Sequence, residues 1–160
     1  MIRTVPLPSV LLLAALGGLS SCGLFQRQAP VALHYQLGAP YQASGVWRYP
    51  RESFEYDDTG IASVATRSSG PTADGEAFDQ TALAAGDRTL QLPAIARITN
   101  LENGRSVVVR VNDRGPTDPA RLVEVTHRTA QLLAAANPAA FRVRVQVLPA
   151  ESRAVLADLP

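Results

Sequence analysis

A run of valines ends in an acid. Val107, Val109 and Val111 alternate with Ser106, Val108 and Arg110, which is the period of a β-strand. Two residues further on, Asp113 falls on the valine face, and Arg114-Gly115-Pro116 then breaks the strand. A carboxyl projecting from the apolar face of a sheet is costly to bury unless it is paired or used. A partly buried carboxyl with raised proton affinity suits general acid catalysis near neutral pH. The competing reading of Asp113 is an Asx-turn at the strand end, or an ion pair with Arg114 or Arg121. Other chemistries lack their residues. The chain has no lysine for Schiff-base chemistry, no His/Cys/Glu cluster at metal-ligand spacing, and no phosphate-binding glycine loop or Gly-x-Ser-x-Gly elbow. No cofactor is implied.

The elements that must hold Asp113 are short. Ala94 to Thr99 reads as a strand, and Asn103-Gly104 predicts a tight type I′ hairpin into the valine strand. Gly60 to Ala65 and Leu122 to Val125 read as further short strands. Phe141, Val143, Val145 and Val147 alternate with Arg142, Arg144 and Gln146, the clearest strand in the chain. Pro71-Thr-Ala-Asp-Gly75 is turn chemistry. Ala82 to Ala85 reads as one helical turn, and Thr126 as the cap of a helix running to Ala136. Many short strands with one or two short helices indicate a mainly β fold, a small closed barrel.

The ends carry other information. Arg3 precedes an apolar run from Val10 to Leu19, and Leu19-Ser-Ser-Cys22 follows. That is a signal peptide over residues 1–21, and the tetrapeptide resembles a bacterial lipobox with Cys22 as the lipid-bearing residue. Cys22 is the sole cysteine, so an intramolecular disulfide is excluded. Gly23 rather than aspartate follows it, which by the Gram-negative sorting pattern implies the periplasmic face of the outer membrane. Residues 22–58 read as a lipidated tether and aromatic lead-in. There Tyr41, Trp47, Tyr49, Phe54 and Tyr56 either pack on the barrel or line a glycan groove. Residues 149–160 read as a loose tail. A net charge of +1 without a basic tract argues against nucleic acid as a partner. A monomer is expected.

The stretch Arg97-Ile-Thr-Asn-Leu-Glu-Asn-Gly-Arg-Ser-Val-Val-Val-Arg-Val-Asn-Asp-Arg-Gly-Pro116 resembles the signature of the rare lipoprotein A family. Thr59-Gly-Ile-Ala-Ser63, Thr72-Ala-Asp-Gly-Glu-Ala-Phe-Asp79 and Arg88-Thr-Leu-Gln-Leu-Pro93 extend the resemblance. It implies a six-stranded double-psi β-barrel over residues 59–148. It also implies an endolytic transglycosylase that cuts the β-1,4 bonds of peptidoglycan glycan strands and leaves a 1,6-anhydro end. By the same resemblance Asp113 is the acid/base and Glu76 its partner. Arg114 and Arg121 either bind a carboxylate on the glycan or pair with neighbouring acids. Asp87 stands where the family has histidine, within Leu83-Ala-Ala-Gly-Asp-Arg-Thr-Leu90. The segment Val64-Ala-Thr-Arg-Ser-Ser-Gly70 lacks the family's Trp-Tyr-Gly. Those two departures support an alternative, a barrel that binds glycan strands without cutting them.

Overall fold

A computed structural model describes residues 32–159. The signal peptide, Cys22 and the start of the tether lie outside the described residues. A small antiparallel hairpin, β1 (Tyr41–Ala43) and β2 (Val46–Arg48), comes first. Six strands then close a barrel. They are β3 (Asp57–Val64), β4 (Ala84–Asp87), β5 (Ala94–Asn100), β6 (Ser106–Asp113), β7 (Val123–Val125) and β8 (Phe141–Val147). Their order around the barrel is β3-β7-β4-β6-β5-β8. Two pairs, β3 with β7 and β4 with β6, run parallel. Closure leaves the barrel itself no open edge. Helices α1 (His127–Leu132) and α2 (Pro149–Ala157) complete the fold. Among the described residues no helix is long and apolar enough to cross a membrane.

Alternation builds the core. Ala94, Ala96 and Ile98 of β5, Val109 and Val111 of β6, and Phe141, Val143 and Val145 of β8 are buried together with Ala62, Val123 and Val125. β8 buries every second residue and exposes or half-exposes its arginines and glutamine, as its sequence pattern predicts.

Three local expectations differ in kind from the structure, and a fourth, the length of α1, differs in extent. Asn103-Gly104 does not form a two-residue turn. The loop is Leu101–Gly104, closed by Asn100 N–H to the Arg105 carbonyl at 2.8 Å and by Gly104 N–H to the Asn100 carbonyl at 2.8 Å. Gly104 takes a positive φ of 76°, whereas Asn103 stays outside that region. The Asn103 amide instead donates to the carbonyls of Leu133 and Ala134 at 3.0 and 3.1 Å, satisfying the orphan acceptors at the end of α1. Second, Ala84 and Ala85 are strand, not helical turn. Alanine's helix preference yields to pairing on both sides, with β6 and with β7. Third, the tail is a helix. Ser152 is buried, donates to the Ile95 carbonyl at 3.1 Å and accepts from Ile95 N–H at 2.9 Å, while Arg153 lies 4.5 Å over the Phe54 ring. Pro149 at the first turn and Glu151 beside it are the start signals for this helix. They are easily passed over because no apolar stripe follows them. The cap at Thr126 is as expected, its hydroxyl accepting from Thr129 N–H at 3.3 Å. The helix itself stops at Leu132, short of Ala136.

Candidate functional site

The valine strand delivers Asp113 through a bulge. Ala85 pairs with Val111 but Gly86 pairs with Asp113, so Asn112 is an extra residue. Bulges re-aim the side chains beside them. Asp113 accordingly leaves the core and lines a narrow cleft with Arg67, Phe78, Gly86, Asn112 and Glu124. Its carboxylate accepts from three N–H donors. These are Ala73 N–H at 3.0 Å, Arg114 N–H at 2.8 Å, and Nη2 of Arg67 in a close ion pair.

A turn brings the second expected residue alongside. Asp74 is buried and organises residues 72–76. Its Oδ1 accepts from the Thr72 hydroxyl at 2.7 Å and from Glu76 N–H at 3.2 Å. Asp74 N–H donates to the Asn112 carbonyl at 3.2 Å. That placement hands Ala73 N–H to Asp113 and presents Glu76 to the bulge. Glu76 receives Asn112 Nδ2 at 2.5 Å and lies 2.6 Å from Nε of Arg110. Asp113 and Glu76 are therefore neighbours across one bulge, each with its own arginine.

The third expected residue is elsewhere. Asp87 is only 1% exposed. Its Oδ1 accepts from Thr89 N–H at 2.7 Å and Leu90 N–H at 2.9 Å, an Asx-type turn after β4. Burial raises its pKa; the two backbone N–H bonds, Arg88 and Arg114 act in the opposite sense. Asp87 does not line the cleft that Asp113 lines.

The two arginines expected at a substrate carboxylate are occupied. Arg114 donates Nη1 to the Leu90 carbonyl at 2.5 Å and Nη2 to the carbonyls of Gln36 and Leu37 at 3.2 and 2.7 Å. It pins the lead-in segment to the turn after β4. Arg121 lies 3.9 Å from Asp118. Neither lines the cleft. Of the lead-in aromatics, Tyr56 packs on the core and Tyr41 donates to the Arg88 carbonyl at 2.9 Å. Trp47 and Tyr49 stand exposed, their ring centroids 6.4 Å apart.

Glu124 is a cleft residue that the sequence pattern did not single out. It sits in β7 between buried Val123 and Val125 and points into the cleft that Asp113 lines. Burial raises its pKa, Asp113 raises it further, and Arg67 lowers it. The signal was present: an acid inside a short apolar strand invites the same question as Asp113. Gly115 makes room for it, because a Cβ there would lie 2.8 Å from Glu124 Oε2. Gly115→Ala is expected to displace that carboxyl, the mobile end of a flexible side chain. Its stability cost should stay within about 1 kcal/mol, while any activity that depends on Glu124 falls at least tenfold or so. Urea denaturation and product assay on one preparation would check both. Among the described residues no three His, Cys, Asp or Glu side chains gather in a way that could hold a metal ion.

Residues 56–147 match the family model described as lytic transglycolase, a double-psi β-barrel domain. Three curated relatives are each named endolytic peptidoglycan transglycosylase RlpA. The protein of Rickettsia felis is 34% identical over 131 residues, 79% of this chain and 58% of that protein. That of Neisseria meningitidis serogroup B is 37% identical over 127 residues, 77% and 53% respectively. That of Escherichia coli K12 is 40% identical over 106 residues, 64% and 29% respectively. The chain thus spans 58% of the length of the Rickettsia felis relative and less of the other two.

Proposed function

Since the chain belongs to the lytic transglycosylase family of double-psi β-barrels, we propose that it is an endolytic peptidoglycan transglycosylase working through Glu124 and Asp113. The observation that carries this reading is the pair itself: two carboxyl groups in one cleft, in unlike surroundings. Pairs of acids whose environments push their proton affinities apart divide into an acid and a charged stabiliser.

Asp113 accepts from three N–H donors and needs no proton of its own for any of them. From the cleft wall it stabilises positive charge developing at the anomeric carbon. Glu124 has burial and a neighbouring carboxylate favouring its neutral form. As Glu124 gives its proton to the bridging oxygen, the bond from that oxygen to C1 breaks. The C6 hydroxyl of the same sugar then bonds to C1 and returns its proton to Glu124. A 1,6-anhydro ring closes, no water is consumed, and the acid is regenerated. This division moves the proton-donating role expected of Asp113 onto Glu124. Glu76, paired with Arg110, holds the bulge in place beside them.

The test is digestion of purified sacculi, intact and peptide-stripped, with the chain lacking residues 1–21. Anhydro-muramyl products read by mass spectrometry are the expected result. Reducing-end products would indicate a hydrolase. No products together with co-sedimentation would leave a glycan-binding module.

Anchoring through lipid on Cys22, at the periplasmic face of the outer membrane, completes the proposal. The order of charged start, apolar run and Leu19-Ser-Ser-Cys22 supports it. Mass spectrometry of the amino-terminal peptide should show acylated Cys22, and an unmodified cysteine there would overturn this part.

A further inference from the structure

Among the described residues one cation, Arg67, lines the cleft. Arg67 lies in the loop after β3, and its side chain is 36% exposed. Its guanidinium is held on three sides. Nη2 pairs with Asp113, Nη1 donates to the Pro71 carbonyl at 3.0 Å, and the guanidinium carbon sits 4.1 Å over the Phe78 ring. The backbone is held as well. Gln80 Nε2 donates to the carbonyls of Ala65 and Arg67 at 2.7 and 2.8 Å, while Gln80 Oε1 accepts from His127 N–H at 2.7 Å. A planar guanidinium clamped against a ring and a carboxylate is pre-organised, and an exposed surface pair is not.

The other walls bring no competing charge. β4 contributes Ala84, Ala85 and Gly86; the loop between β3 and β4 adds Phe78; Asn112 and Thr126 are neutral. The charged groups facing the cleft are Arg67, Asp113 from β6 and Glu124 from β7. Glu76 lies against Arg110 instead.

We propose that Arg67 is the positioning residue of this cleft: it orients Asp113 and supplies the positive charge that Glu124 experiences there. The inference rests on the reading above, in which Glu124 is the acid. Arg67 lies with Glu124 in the cleft and opposes the effects of burial and of Asp113 on that carboxyl. Removing the charge therefore lets Glu124 hold its proton to higher pH. A rate that requires protonated Glu124 then keeps its high value further into the alkaline range.

The experiment combines a carbon-detected carboxyl titration of Glu124 with the pH–rate profile on sacculi. The proteins are the wild type, R67M and R67K, each without residues 1–21, and R67Q serves if R67M does not fold. In R67M the rate at its optimum should fall on the order of 10- to 100-fold through lost orientation. Both the Glu124 titration and the alkaline limb should move to higher pH. R67K keeps the charge but loses the planar fork, so its limb should stay near that of the wild type while its rate falls. A Glu124 titration that is the same in R67M, R67Q and wild type would overturn the proposal. So would a limb that moves equally in R67K and R67M, because a purely structural arginine predicts that. If the wild type releases no lytic product, the enzymatic reading fails by itself, and the titration still decides the role of Arg67.

Discussion

Glu124→Gln is expected to abolish release of anhydro-muramyl products while the barrel stays folded. The loss should be at least about 10²-fold, the usual contribution of a positioned general acid. The amide keeps the size of the side chain and, like the carboxyl, lies beside Asp113 and Gly115. It cannot donate a proton to the leaving oxygen. Because burial and Asp113 both disfavour the charged form of Glu124, the neutral amide should leave the melting temperature unchanged or raise it at neutral pH. Asp113→Asn makes an informative contrast. It breaks the ion pair with Arg67 and weakens a carboxylate that fastens the loop through Ala73, so it should lose both activity and stability. The measurement is mass spectrometry of sacculus digests beside thermal melts. If Glu124→Gln retains more than a tenth of wild-type product while Asp113→Asn retains none, the acid is Asp113, as the family resemblance alone implies.

The second large effect concerns Asp87 and is read in stability. Burial gives this carboxyl a higher proton affinity in the native state than in the unfolded chain. Between the ordinary aspartate range and that raised value the native state binds more protons, so stability falls as pH rises through the window and is greatest below it. Asp74 and Glu124, also raised by burial, act in the same sense. Asp57 and Asp79 are held below the usual range by Arg144 and by Thr81 N–H respectively, and act in the opposite sense. Asp87→Asn retains an oxygen for Thr89 and Leu90 N–H but carries no charge. It should flatten the decline of stability with pH and be at least as stable as wild type at pH 7. Asp87→Ala strands both N–H groups and should cost about 2–3 kcal/mol. Urea denaturation from pH 4 to pH 8 distinguishes these outcomes. Parallel pH dependences for wild type and Asp87→Asn would show that the buried carboxyl is not the cause. The same experiment bears on function, because an Asp87 that serves only the turn should leave the pH dependence of lysis untouched.

What was legible in the sequence was local. β8 follows from strict alternation between Phe141 and Val147, the hairpin from two strand-like runs around Asn103-Gly104, and the start of α1 from the capping chemistry of Thr126. Each needs only residues within a few positions of one another, and side-chain period and cap donors act over that range. The long family resemblance supplied the barrel topology, which periodicity alone did not yield. Asp113 was legible as an acid ending an apolar strand.

Tertiary structure decided the rest, for reasons of distance along the chain. β4 is a strand because β6 and β7 flank it, against the local preference of its alanines. α2 is held by Ser152 on Ile95, a contact 57 residues away in sequence, and no stripe in its own residues announces it. Arg67 meets Asp113 across 46 residues, and one extra residue at Asn112 turns Asp113 toward the cleft. The same architecture buries Asp87 in a turn and occupies Arg114 with carbonyls of the lead-in. Types and spacing thus named the acids available to this protein. Which of them share a cleft was set by the pairing of Gly86 with Asp113 on one side and with Glu124 on the other, and by a bulge. Those bring together residues whose separation along the chain carries no local signal.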